Sequence, residues 1–268
     1  MVEIAQKTTD DGRFAYEVAG AAHLPPLVFL HGIGGAARAF RPQLSHFHDR
    51  FRAIAWDMPG YGGSAPLPQV SIAALAEALK NFLAGCGATK PVLVGHSIGG
   101  MIVQQALASD PQLASAVVLA QTSPAFGKAD GDWQKQFIAA RLGPLDRGAT
   151  MAQLAPSLVS ELVGDTPDEG GLVLARDCMA SVPEATYRAT MLALMGFDLR
   201  AALARIAVPT LVLSGSKDNN APAPMMAKMA TFIPGGTYVE LAGVGHLAGL
   251  ERPDAFNRAL DTFLATTT

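Results

Sequence analysis

A chain of 268 residues that is 50% apolar and only 16% charged can bury a large core, which excludes a mainly disordered protein and favours one large domain. Its 20 Lys and Arg against 23 Asp and Glu leave a formal charge of −3, so no cationic field draws in nucleic acid. Cys86 and Cys178 are too few for a disulfide framework, no His/Cys cluster has zinc-ligand spacing, and both thiols read as buried apolar groups.

The N-terminus turns polar after four residues, too soon for a signal peptide, and no window approaches the roughly 18 apolar residues of a membrane span. A cytoplasmic protein without a membrane partner is the expectation. Residues 2–8 and 13–19 read as an antiparallel pair joined at Asp10-Asp11-Gly12, a good tight-turn sequence. The pattern then changes to compact apolar runs at 27–30, 54–56, 92–94, 117–120 and 211–213, as in strands buried on both faces.

Helical stretches separate these runs. Ile72, Leu75, Ala76, Leu79, Phe82 and Leu83 fall on one stripe, and Gly85 and Gly87 stop it; a second helix over 99–108 is apolar nearly all round and ends at Asp110-Pro111. Alternation of strand and helix predicts a parallel, doubly wound α/β sheet. The rhythm breaks over 124–206, where Trp133, Phe137, Leu154, Leu158, Leu172, Leu192 and Leu194 mark successive helical segments and no strand. Roughly 80 residues far exceed the dozen or so that a crossover needs, so 124–206 is expected to form a helical cap on a core of 1–123 and 207–268. A strand at 209–214, a helix at 224–231, a strand at 237–241 and a helix at 253–265 complete the chain, with Thr266 to Thr268 as a frayed tail.

The chemistry starts at Gly95-His96-Ser97-Ile98-Gly99-Gly100, between the 92–94 strand and the next helix. A serine on so sharp a strand-to-helix turn needs tiny neighbours two places before and after it, and Gly95 and Gly99 supply them. Its hydroxyl is a weak nucleophile unless a histidine takes the proton and a carboxylate orients that histidine. Among six histidines, His23, His46 and His48 read as solvated, His31 ends a strand, and His96 sits too close to the serine to turn back on it. His246, in Gly243-Val244-Gly245-His246 after the last strand, remains, and Asp218 of Gly215-Ser216-Lys217-Asp218 completes the order serine, acid, histidine. Asp218 reads equally as a turn residue, and the two readings are compatible. A rival acid just after residue 120 is not available, since Asp130 and Asp132 lie farther into the insertion.

Acyl transfer also requires donors for an oxyanion, and the amide after the serine, that of Ile98, is one. The loop His31-Gly32-Ile33-Gly34-Gly35 offers the Ile33 amide as the second; it lacks the Gly-Lys-Ser/Thr of a phosphate cradle. Asp57 in Asp57-Met58-Pro59-Gly60-Tyr61-Gly62-Gly63-Ser64 reads as a loop-forming residue. In the insertion, Trp133 is an apolar wall for a substrate, and Arg141, Arg147, Arg176 and Arg188 are carboxylate partners or solvated helix residues. Eight Lys and Arg against ten Asp and Glu between Pro124 and Arg205 select no anionic substrate.

As a set these motifs resemble the α/β-hydrolase superfamily over about 27–264, and the stretch from Asp218 to Phe263 is most similar to 3-oxoadipate enol-lactonases and related small-ester hydrolases. The resemblance implies an eight-stranded, mostly parallel sheet, a helical cap, no cofactor and no metal, a Ser97–Asp218–His246 triad, and an oxyanion hole at Ile33 and Ile98. It implies a serine hydrolase of small-molecule carboxylic esters or lactones. A carbon–carbon bond hydrolase of vinylogous diketones and a non-catalytic ligand receptor on the same fold are the alternatives. The sequence shows no interface from which to read an oligomeric state.

Overall fold

The computed structural model describes residues 2–127 and 131–267. Eight strands form one sheet: β1 (Ala5–Thr8), β2 (Ala15–Ala19), β3 (Pro26–Leu30), β4 (Arg52–Trp56), β5 (Val92–His96), β6 (Ala116–Ala120), β7 (Thr210–Gly215) and β8 (Thr237–Leu241). Their order is β1-β2-β4-β3-β5-β6-β7-β8. The expected hairpin is there, shorter than its apolar pattern, and β2 runs antiparallel to β4 as well as to β1. All other pairings are parallel.

The continuous apolar runs are explained by burial on both sides. Val28, Leu30, Ile54, Trp56, Leu93, Val117 and Leu119 face one apolar cluster, whereas Leu27, Phe29, Ala53, Ala55, Val92, Val94 and Val118 face the other. Side chains alternate across each strand, so a strand that is covered above and below has no polar positions to show. Helices cover both sides. α1 (Arg41–Phe47) packs on the second face; α2 (Ile72–Gly85) and α3 (Ile98–Ser109) pack on the first. α1 has only seven residues and starts from a 3₁₀ turn, too short for its periodicity to stand out. The start of α2 is set by Ser71, whose hydroxyl accepts the Ala74 N–H at 3.1 Å.

Between β6 and β7 lie α4 (Asp132–Asp146), α5 (Met151–Ser160), α6 (Glu169–Ala180) and α7 (Glu184–Ala193). The segments entering and leaving this excursion are zipped together. Ala125 bridges Asp198, the Phe126 N–H donates to the Phe197 carbonyl at 2.9 Å, and the Leu199 N–H donates to that of Pro124 at 2.8 Å. Ile138, Leu142, Val159, Leu172, Met179 and Met191 of the excursion join the same apolar cluster as α2 and α3, so its interior is continuous with the core.

The chain closes with α8 (Ala223–Thr231) on the α2–α3 face, the single turn α9 (Ala248–Glu251), and α10 (Pro253–Leu264) beside α1. Thr266 and Thr267, expected as a tail, end α10 in hydrogen-bonded turns to Phe263 and Leu264, and Thr268 lies outside the described residues. No helix among the described residues is long and apolar enough to cross a membrane.

Strand register brings the key loops together. Leu30 pairs with Gly95, His96 with Ala120, Ala120 with Leu213 and Gly215 with Leu241, so β3, β5, β6, β7 and β8 all end along one edge. The loops that leave these strands therefore meet at that edge.

Candidate active site

Ser97 stands alone between β5 and α3 with φ 54° and ψ −121°, a backbone conformation that residues other than glycine rarely adopt. The turn is made possible by its glycines. A Cβ on Gly95 would lie 2.6 Å from Gly100 Cα, and one on Gly99 would lie 2.4 Å from the carbonyl oxygen of Leu30, so neither position admits a side chain. The strained residue is fastened from both sides: its N–H donates to the Ala120 carbonyl at 3.0 Å, and its carbonyl accepts the Thr122 hydroxyl at 2.7 Å.

Asp218 and His246 come to the same edge from the loops after β7 and β8. The His246 Nδ1–H donates to Asp218 Oδ2 at 2.8 Å, and the Ser97 hydroxyl donates to His246 Nε2 at 3.0 Å. The other Asp218 oxygen accepts the N–H groups of Asn220 and Ala221 at 2.8 and 2.9 Å, so the residue is both a turn former and the partner of the imidazole. Burial pushes the Asp218 carboxyl up, but His246 and the two amides outweigh this and hold it below its ordinary value. Asp218 thus keeps a negative charge facing the ring, which orients its Nδ1–H tautomer.

The Ile98 amide opens α3 directly after Ser97, and the loop carrying Ile33 runs alongside. A Cβ on Gly32 would lie 3.0 Å from Ser97 Cβ and 2.9 Å from His96 Nδ1, which measures how closely that loop approaches. Neither the Ile33 nor the Ile98 N–H donates to a protein group among the described residues. His31 shapes the loop: its Nδ1–H donates to the Gly32 carbonyl at 2.8 Å and its Nε2 accepts the Met58 N–H at 3.0 Å. Burial lowers the proton affinity of that ring, as its acceptor role requires. Asp57 is a loop former here, accepting the Ala37 N–H at 2.7 Å and the Gly63 N–H at 3.3 Å.

His96 has a task that its position in the sequence did not suggest. Its Nε2–H donates to the backbone carbonyl of His246 at 2.7 Å, bracing the opposite loop. Desolvation first, then the neighbouring His246 ring, holds the His96 imidazole down at about 3. His46, expected to be solvated, is exposed and also pairs with Asp261 at 2.7 Å across α1 and α10. Both thiols are buried, and burial raises that of Cys178 to about 11.

Ser97, His246 and Ile33 border a cavity of about 790 Å³ beneath α4 to α7. Trp133, the proposed wall, lines it together with Phe126 and Phe137, the three rings lying 5.3 to 5.4 Å apart. Of the four arginines singled out in the sequence, Arg141 reaches this cavity, stacked over Phe137 and 3.3 Å from Glu161; Arg188 instead pairs with Asp146 and Glu184. Asp132 lines the cavity, and Asp130 lies outside the described residues. Arg200, paired with Asp198, also lines the cavity and was not apparent as a site residue. Neither was Gln121, fully buried at φ 42° and bonded through Nε2 to the Leu213 carbonyl at 3.1 Å. Its only sequence signal is the place directly after an apolar run.

The sequence matches the α/β hydrolase family over residues 27–259. It is 26% identical over 263 residues to 3-oxoadipate enol-lactonase 2 of Acinetobacter baylyi, covering 96% of this chain and 95% of that one. It is 28% identical over 244 residues to RutD of Yersinia enterocolitica, named as a candidate carbamate hydrolase, covering 89% of this chain and 86% of that one. A solved hydrolase from Pseudomonas aeruginosa superposes with a TM-score of 0.83 at 29% identity, with 98% of each chain covered. With its sheet order, its strained serine turn and the family match over most of its length, the chain belongs to the α/β hydrolases.

Proposed function

We propose that this hydrolase cleaves carboxylic esters or lactones through an acyl-enzyme on Ser97. His246 Nε2 takes the Ser97 proton as the oxygen attacks the carbonyl carbon, the Ile33 and Ile98 amides hold the resulting oxyanion, and the protonated imidazole returns its proton to the leaving alcohol. Water activated by the same imidazole then releases the acid. Asp218 stays ionised throughout. Residues 124–206 act as the cap, and Trp133 contacts substrate.

The observation that carries the reading is the unbroken line Asp218–His246–Ser97, at 2.8 and 3.0 Å, opening on a large cavity. The walls narrow the substrate. Methionines 101, 179, 191 and 225 and the three aromatic rings supply apolar surface, and the two described cations of the lining, Arg141 and Arg200, each face a carboxylate already. A neutral ester with a sizeable apolar group suits this cavity better than a compact anionic lactone.

A fluorophosphonate probe followed by peptide mass spectrometry, with a panel of alkyl and aryl esters, lactones, carbamates and vinylogous diketones, tests the proposal. Labelling at Ser97 and release of an alcohol or a ring-opened acid are expected. A protein that leaves the probe unreacted but is stabilised by a small ligand would be a receptor, and a ketone fragment among the products would signal carbon–carbon cleavage.

A further inference from the structure

One buried carboxylate near the site takes no part in that reaction. Glu251, at the end of α9 and 1% exposed, accepts three backbone N–H groups: Gly164 at 2.7 Å and Gly245 at 2.9 Å on Oε2, and Leu247 at 2.8 Å on Oε1. Among the described residues no Lys or Arg lies within ion-pair distance of it. A carboxylate withdrawn from water is costly unless its oxygens are filled by donors, and here backbone amides fill them.

The identity of those amides gives the arrangement its meaning. Gly245 and Leu247 flank His246 on either side, and Gly164 belongs to the 161–168 segment between α5 and α6. The same segment touches the histidine loop directly. The Leu162 carbonyl accepts the His246 N–H at 2.6 Å, the Gly243 carbonyl accepts the Asp165 N–H at 2.8 Å, and the Glu251 carbonyl accepts the Asp168 N–H at 2.9 Å. The packing leaves no slack: a Cβ on Gly164 would lie 2.2 Å from the Gly243 oxygen, and one on Gly245 would lie 2.4 Å from that of Leu162. Leu162 meanwhile lines the cavity, so one residue contacts both the substrate space and the backbone of the base.

We infer that Glu251 is a positioning residue that clamps the His246 loop to the 161–168 segment, so that the imidazole is aimed by the excursion between β6 and β7 and not by the sheet alone. The inference rests on the serine-hydrolase reading. Replacing the carboxylate by an amide puts an NH₂ group against at least one backbone N–H that needs an acceptor, and two donors then oppose each other. The imidazole shifts relative to Ser97, and a displacement near 1 Å lowers the rate on the order of 10²-fold without removing substrate contacts.

The experiment compares the full-length wild type with Glu251→Gln, Gly164→Ala, Ser97→Ala and Leu260→Ala, the last a core residue of α10 outside the site. For each, kcat, KM, the rate of fluorophosphonate labelling and Tm are measured on p-nitrophenyl esters. Glu251→Gln is expected to lower kcat and the labelling rate together, on the order of 10- to 100-fold, with KM within about threefold. Leu260→Ala is expected to lower Tm at least as much while keeping kcat. Gly164→Ala, which wedges the two loops apart, repeats the kcat loss and decides the matter if Glu251→Gln does not fold. A folded Glu251→Gln or Gly164→Ala protein with kcat within twofold of wild type, or an equal kcat loss in Leu260→Ala, overturns the inference. Full activity in Ser97→Ala overturns the underlying reading itself, and the clamp falls with it.

Discussion

The serine side and the histidine side of the site are held in place by different physics. Ser97 is positioned chiefly by steric exclusion: Gly100 crowds Gly95 and the Leu30 carbonyl crowds Gly99, leaving the chain no room for another path, and two hydrogen bonds to Ala120 and Thr122 fasten the turn. His246 is positioned by polar ties to residues far away in the chain, at Leu162, His96 and Asp218, and through Gly245 and Leu247 by Glu251, which also holds the distant Gly164. Contact packing is stiff, whereas a hydrogen-bonded loop is only as well placed as its most distant anchor. The turn at Ser97 should therefore tolerate no added methyl group, and the placement of His246 should be sensitive to changes that never touch it.

The largest effect belongs to the serine itself. Ser97→Ala should lower kcat on the order of 10³-fold or more on any ester turned over, measured at saturating substrate, since the proposed covalent route is lost. Gly99→Ala breaks the packing side next. Its Cβ would fall 2.4 Å from a backbone oxygen that cannot move aside, and a shifted Ile98 amide should cost on the order of 10²-fold in kcat and about 1–3 kcal/mol in urea denaturation.

The histidine side can be probed by acid. His96 holds its proton only below about 3 when folded, against an ordinary 6.5, so the unfolded chain binds more protons between those values. Its contribution to stability is complete above the unfolded value and is lost as pH falls through that window, by roughly 1.4 kcal/mol per pH unit. His31, lowered in the same direction by burial, adds to the slope. Denaturation between pH 7 and 4 should show this decline, and His96→Gln should flatten part of it; an unchanged slope would detach His96 from the effect. The smallest effect is expected in the cavity, where Trp133→Ala removes a half-exposed wall and should raise KM several-fold for bulky esters with little change in kcat, on the order of 1 kcal/mol of binding.

The same division explains which features were legible in the sequence. The strands at 92–94 and 117–120, the glycine spacing around Ser97 and the amphipathic stripe from Ile72 are local patterns, and each lies within a residue or two of its place in the structure. The order of serine, acid and histidine was legible because the architecture to which the motifs pointed imposes it. The roles of Glu251, His31, Gln121 and Gly164 were not, since each owes its importance to a partner from another loop; Glu251-Arg252-Pro253 stands in the stretch that carries the resemblance, but nothing in it shows that the carboxylate turns back on the His246 loop. The excursion was legible as a length and a loss of rhythm, but its helices have exposed positions such as Val173 and Leu192 that blur their stripes.

The pairing of Ala125 with Asp198 has an architectural consequence. Because the chain leaves and returns at adjacent points, a shorter or longer insert could be spliced between them without stretching β6 or β7. Splicing in a foreign insert would leave the serine turn whole yet strip the His246 loop of two of its moorings, so on the proposed mechanism a graft meant only to change the cavity wall would also retune the proton transfer unless it brought its own equivalents of Leu162 and Gly164.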